Sequence, residues 1–540
     1  MNKIYSLKIK IIALFLIFTI FFVGILFERL KINHKFSKFF LSFTESIGRT
    51  LYNPELSKDI SLEIKPKDYE TILKVRKKSL KQNILTKNLE KWVSGILISE
   101  NISHKIELRL KGIFSDHWSD LNQLSFKDKV KNDSMPIYGQ RRFALQAPST
   151  TSYLYEWLFM KALEKEKLLS LGITFVNMKI NDNNKGVYAL IGQASDVFLK
   201  KNNRQSGPII GFDSELWVKE QIQSTMLDAK KVIRPVNSNE DSFWRASITP
   251  IQFSEEKSKN EINRADLKKA IFLLESFRNG SLKTSEVFDV NQLTKVMALR
   301  ALAGSSEFDW LDTKFYYNKN TGLLEPISKE IHVDLTRDYK KNYRTWWIDS
   351  SKVRDHYFKN TDFFIDTLYK DKNFYEKYLI ELNNLSKKKY YSGIINENKK
   401  DFEKYKKILS ISYPKKKIFS KEQLEITRNR IRDFVDPIQG INTYFKNYEN
   451  GVLSLNILNL QRLPIKIKAL KLNNGKIINL NKEILIDGQK PHVAIEEKLI
   501  KINCNFLESC EESKIKDQMI VYNILGQEKA KQVAIIPYYY

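Results

Sequence analysis

The sequence predicts an α+β protein of several parts: an N-terminal transmembrane helix, a mixed core that turns helix-rich toward its end, and a small C-terminal β-sandwich. Three observations carry this. A charge-free run, IIALFLIFTIFFVGILF (Ile11–Phe27), follows the basic start MNKIYSLKIK. Between residues 57 and 440, runs that alternate apolar and polar residues are interleaved with stretches of helical period. From residue 441 the texture changes to short alternating runs broken by Asn/Gly turns. The expected division is an anchor at 1–30, a basic juxtamembrane linker at 31–56, a core at 57–440 that is helix-rich from about 351, and a small all-β domain at 441–540.

The N-terminal run fits a signal anchor. As a helix rising ~1.5 Å per residue, Ile11–Phe27 spans most of a ~30 Å bilayer core. It ends in Phe27-Glu28-Arg29, a poor cleavage site, so an uncleaved anchor is expected over a removed signal peptide. Lysines and arginines flank both ends, so charge alone does not orient it. One anchor ahead of a large domain leads us to expect a single-pass protein of the inner (cytoplasmic) membrane, its bulk on the extracytoplasmic side.

The composition bounds the rest. The chain is 42% hydrophobic, enough for a sizeable core and unlike a disordered chain. Its formal net charge of +27 fits either anionic partners (nucleic acid, an anionic membrane face, phosphorylated or acidic ligands) or the Lys/Ile/Asn skew that an AT-rich genome gives. No RNP, helix-turn-helix or zinc-finger pattern accompanies that charge, so nucleic acid is not an expected partner. The two cysteines, Cys504 and Cys510, stand in CNFLESC. That spacing allows a short-loop disulfide in an oxidising compartment or two buried thiols. The six histidines are scattered, with no HExxH and no CxxC.

Along the core, DISLEIKPKDYETILKVRKKSLKQ reads as a strand, a turn and a basic helix. KWVSGILISENISHKIELRLKG reads as a hairpin. In its second half Ile106, Leu108 and Leu110 face one way and Glu107, Arg109 and Lys111 the other, so Arg109 and Lys111 share a face. RRFALQAPSTTSYLYEWLFMKALEKEK is a strand, a turn and a helix, with Ser149 to Ser152 available as N-caps and Glu156 near the helix start. TFVNMKINDNNKGVYALIG is a hairpin, FDVNQLTKVMALRALAG a helix stopped by Gly304, and DTKFYYNKNTGLLEPI a further hairpin. FSKEQLEITRNRIRDFVDP starts on a Ser420/Gln423 capping box and ends at Pro437. Ordinary kinase signatures (GxGxxG, HRD, DFG) and the GxSxG of α/β-hydrolases do not occur.

Six stretches in order, LRLKG, SF, RRFALQAP, YLYEWL, FVNMKINDNNKGVYAL and FYYNKNTGLLEPI, resemble the spore-coat protein H (CotH) kinase-like family, nearest its membrane-anchored bacterial branch. The resemblance covers about 60–440. It implies an atypical kinase-like α+β core that binds ATP and a divalent metal, Mg²⁺, and transfers a phosphoryl group to a protein or envelope-polymer hydroxyl. Residue by residue, it implies that Arg109 and Lys111, with Arg142 next, bind phosphates and that Glu156 positions one of these cations. It assigns Asp312 and Glu330 to the metal and the chemistry. Asp334 is a weaker acidic candidate in the same run.

The departures are specific. Gln123 and Leu124 stand before SF, where the family often has a basic residue. Ile191 and Gly192 stand where acidic residues are usual. Glu330-Ile331-His332 replaces a D-x-D-like run. Glu for Asp moves a carboxylate by one C–C bond, and imidazole is a poor ligand for a hard cation. The alternative expectation is therefore a catalytically degenerate pseudokinase, acting as a cell-envelope scaffold or binding module.

Overall fold

The computed structural model describes residue 56 and residues 58–537, except 132–134, 230–237, 253–260, 306–307, 332, 334–362, 388, 490–494, 505–506 and 508–509. The chain opens with seven strands: β1 Asp59–Glu63, β2 Val93–Ser99, β3 Ile102–Leu110, β4 Phe126–Val130, β5 Arg142–Gln146, β6 Ile173–Ile180 and β7 Asn183–Gly192. They close into a barrel in the order β1-β2-β3-β4-β5-β7-β6. Neighbours are antiparallel except at the closure, where β1 runs parallel to β6 with Ile60 opposite Met178. Alternate residues, among them Leu62, Leu97, Ile106, Leu108, Phe126, Phe143, Met178 and Tyr188, form one apolar cluster inside. Helix α1 (Pro66–Gln82) starts on a proline, adds Ile72 and Val75 to that cluster and stops at Asn83 in the left-handed region. The β6–β7 turn, Asn181-Asp182, has both residues at positive φ, as a two-residue hairpin turn requires.

A second sheet has the order β11-β10-β8-β9, built from β8 Ile209–Phe212, β9 Ile248–Gln252, β10 Lys314–Asn318 and β11 Leu323–Ile327. Helices α2 (Leu154–Lys165) and α3 (Val290–Ala303) pack on each other, and α3 also packs on α4 (Lys372–Lys387) and α5 (Lys421–Val435). Asp289 caps the start of α3 and Gly304, at φ 81°, its end. Ser420 caps α5 by accepting from Gln423 N.

Residues from 441 form two further sheets, β12-β13-β16 and β15-β14-β17-β18. Their strands are β12 Ile441–Glu449, β13 Val452–Asn459, β14 Ile465–Lys471, β15 Ile477–Ile486, β16 Glu497–Asn503, β17 Met519–Ile524 and β18 Lys531–Ala534. They dock on the helices through Lys466–Glu376 (2.7 Å) and Lys531–Asp436 (3.0 Å). A disulfide joins Cys504 to Cys510.

The kinase-like α+β core expected over 57–440 is therefore corrected: the chain builds a closed seven-stranded barrel followed by separate sheets. Alternating periodicity assigns strands and their faces but carries no information on closure. Closure depends on β1 meeting β6, with Asp59 opposite Asn177. The expected transmembrane helix gains no structural counterpart. No helix among the described residues is long and apolar enough to cross a membrane, and Ile11–Phe27 lies outside the described residues.

Candidate functional site

The outer face of the barrel gathers cations because the inner face takes the apolar half of each strand. Leu108 and Leu110 of β3 point inward, which leaves Arg109 and Lys111 outside. Antiparallel register then sets Arg109 beside Lys127 of β4, and Lys129 of β4 beside Arg142 of β5. Gly112, which follows Lys111, has a φ of 91°, and a Cβ there would lie 2.1 Å from the His117 ring. Only glycine lets the strand end this close to that ring.

These cations have different surroundings. Arg109 pairs with Glu90 at 2.7 Å and lies 5.2 Å over the Trp92 ring. Burial outweighs their mutual attraction in both partners, pushing the Glu90 carboxyl up and Arg109 down. Burial lowers Lys127 to about 7, with Arg109, Lys329 and Lys111 adding to the shift and Glu90 opposing it. Lys111 reaches out of the barrel and pairs with Glu330 at 2.8 Å. Arg142, lowered by burial, sits at the far edge of the face, across from Lys129.

Glu330 lies on the loop that leaves β11, and that loop is braced from two helices. Glu156, in the first turn of α2 and only 1% exposed, accepts from the backbone N–H of Glu330 (3.0 Å) and of Ile331 (2.9 Å). Ser152 does not N-cap α2; its Oγ accepts from Val333 N at 3.0 Å. Arg300, in the last turn of α3, donates to Ser328 Oγ (2.8 Å), Lys329 O (3.0 Å) and Glu330 O (3.3 Å). Ser305 donates to Ile331 O. These bonds hold Glu330 at a φ of 52°, a left-handed conformation that is costly for a non-glycine residue.

On the other side of the loop, Lys329 lies 3.4 Å from Asp312. Burial alone would lower Lys329, yet Glu330, Asp312 and Asp309 together hold it above the ordinary lysine range. Asp309 accepts from Asp312 N at 2.9 Å. Lys314 of β10 donates to Leu311 O at 2.7 Å, and burial brings it down to about 8.

The structure thus brings Lys111, Glu156 and Glu330 together, with Asp312 joined to them through Lys329. Arg109 stands one residue row from Lys111, and Arg142 stands apart from the loop. His332 and Asp334 lie outside the described residues. The departures are packed positions. Gln123 accepts from Tyr413 Oη at 2.9 Å and so ties the barrel to the helical part. Ile191 belongs to the core, and a Cβ on Gly192 would lie 2.4 Å from Leu171 O. Sequence reasoning missed Lys127, Lys329, Arg300 and Asp309. Strand alternation could have found Lys127, and a lone arginine on an apolar helix could have flagged Arg300. A cavity of about 390 Å³, lined by Lys165, Glu166, Glu381 and Tyr390 among others, lies at the opposite end of α2 from Glu156.

A family model described as CotH kinase protein matches residues 108–437. That is more than half of the chain, and it takes in Arg109, Lys111, Glu156 and the braced loop. The chain belongs to the CotH kinase protein family. No curated protein matches the chain.

Proposed function

We propose that the chain binds a nucleoside triphosphate where the basic barrel face meets the braced loop, and that it acts there as a degenerate kinase-family binding module. One observation carries this reading: each carboxylate expected to hold a metal already has an ammonium partner. Lys111 is 2.8 Å from Glu330, and Lys329 is 3.4 Å from Asp312. Arg109, Lys111 and Lys127 supply cations for phosphates. Mg²⁺, which the family implies, needs near-octahedral oxygen ligands at ~2.0–2.1 Å. Among the described residues, no group of three or more His, Cys, Asp or Glu is placed to hold a metal ion. The described residues do not fit that ion.

A second reading is active transfer of phosphoryl from ATP to a protein or envelope-polymer hydroxyl. The continuous Glu156–Glu330–Lys111 linkage favours it, because it sets a phosphate-binding cation against a rigid acidic loop. The test uses purified full-length chain with ATP in two assays, thermal stabilisation and transfer of radiolabelled γ-phosphate to itself and to envelope extracts. Stabilisation without transfer is the expected result. Transfer abolished by Glu330→Gln would establish the second reading, and neither stabilisation nor transfer would refute both.

The same proposal places the protein at the cell envelope, its bulk on the extracytoplasmic side. The Cys504–Cys510 disulfide supports an oxidising compartment, and the apolar Ile11–Phe27 segment supports membrane attachment.

A further inference from the structure

Building on the nucleotide reading above, we propose that the Lys329 ammonium stands in for the divalent cation, so that a nucleoside triphosphate binds this site free of metal. A metal in phosphate-handling proteins neutralises the terminal phosphates while carboxylates anchor it. Here one side chain of the chain itself occupies the corresponding place. Lys329 lies 3.4 Å from Asp312, with Glu330 and Asp309 acting on the same ammonium. Glu330 is engaged a second time, by Lys111 at 2.8 Å. A divalent ion entering here would have to displace two ammonium groups from partly buried carboxylates, and each displaced charge would need a new partner.

The ammonium is held at its post by the backbone. Arg300 grips Lys329 O at 3.0 Å, and Glu156 grips the next amide, Glu330 N, at 3.0 Å. Swinging Lys329 away would have to undo those bonds or draw the side chain off its acids.

The opposite wall is ready for an anion. The Lys127 side chain makes no hydrogen bond or ion pair among the described residues, although Arg109, Lys329 and Lys111 act on it and Glu90 opposes them. Gln146 ends β5 on the outer face, fully buried, and neither atom of its amide has a hydrogen-bond partner. Buried amides without partners are rare in a finished core. Register places it next to Ser125, whose carbonyl accepts from Lys111 N at 2.9 Å. An acceptor-rich, negatively charged group would satisfy Lys127 and the Gln146 NH₂ together.

The experiment measures ATP binding to the full-length chain by calorimetry, with one arm in EDTA and one in excess Mg²⁺. The expected result is binding in EDTA at least as tight as in Mg²⁺. Lys329→Met is expected to weaken binding in EDTA by about tenfold or more, the loss of one charge-assisted contact. Lys329→Arg keeps the charge and should keep metal-free binding. Wild-type binding that requires Mg²⁺ would overturn the inference and leave the nucleotide reading standing. So would metal-free binding by Lys329→Met within twofold of wild type. Absence of ATP binding in both arms would overturn the nucleotide reading and this inference with it. If Lys329→Met does not fold, the two wild-type arms and Lys329→Arg still decide the question.

Discussion

Replacing Glu156 with glutamine should release the loop after β11. The carboxylate accepts two backbone N–H bonds, 3.0 Å to Glu330 and 2.9 Å to Ile331, in a side chain only 1% exposed. A hydrogen bond to a charged group contributes ~1.5–3 kcal/mol, and a buried donor left unpaired costs a similar amount. Glutamine keeps one acceptor and turns an NH₂ toward the second N–H, so one bond is lost and one donor faces another. The expected cost is about 2–4 kcal/mol, borne locally because Arg300 and Ser305 still hold the loop's carbonyls. The direct assay is native-state hydrogen exchange over residues 328–333. A local cost of about 2 kcal/mol corresponds to roughly 30-fold faster exchange at the two amides, and no comparable change belongs in the barrel strands. Unchanged exchange at Glu330 and Ile331 would refute the bracing role. Equal acceleration everywhere would show that Glu156 stabilises the whole molecule instead.

Other outcomes follow from named groups. Asp128 points into the barrel with both carboxyl oxygens unpaired, and burial pushes its pKa well up. A carboxyl protonated in the folded state but ionised in the unfolded one makes stability fall as pH rises above ~4. The melting temperature of the barrel should therefore drop from pH 5 to pH 8, and Asp128→Asn should flatten that slope. ATP affinity should weaken as pH rises through 7, where Lys127 loses its proton, and Lys127→Met should remove this dependence in titrations at pH 6 and 8.5. Cys504→Ser should lower stability by about 2 kcal/mol, the loop-closure value for a bridge six residues apart, as read by denaturant unfolding. Gly192→Ala should destabilise the chain by about 1–3 kcal/mol, because its Cβ would lie 2.4 Å from Leu171 O, and a thermal melt checks this.

Much of the local structure was legible in the sequence, because it depends on short-range rules. The alternation in KIELRLKG placed Arg109 and Lys111 on one face, Gly304 ended its helix, and Ser420 capped another. Long-range pairing was not legible. The closing β1–β6 pair joins segments more than a hundred residues apart, and nothing in either segment announces the other. The same limit applied at the candidate site. Glu156 was expected to position a strand cation directly. The structure joins it to Lys111 by way of Glu330, with Glu156 holding the amide and Lys111 the carboxylate. Lys329 escaped notice because a lysine beside a glutamate reads as ordinary surface until the β10–β11 register, with Lys314 opposite Ile327, brings Asp312 across from it. Asp334 and His332 belong to the same run and lie outside the described residues.

The barrel's closure has a practical consequence for anyone trimming the gene. The family match begins at residue 108, inside β3, yet β1 and β2 complete the wall on which Arg109 and Lys111 sit. A fragment cut at that boundary would lose the strand that bridges β3 to β1 and the strand that seals β6. It would present two raw, hydrogen-bond-hungry edges and a split apolar interior to solvent. Such a fragment should aggregate, whereas one starting ahead of Asp59 should stay soluble.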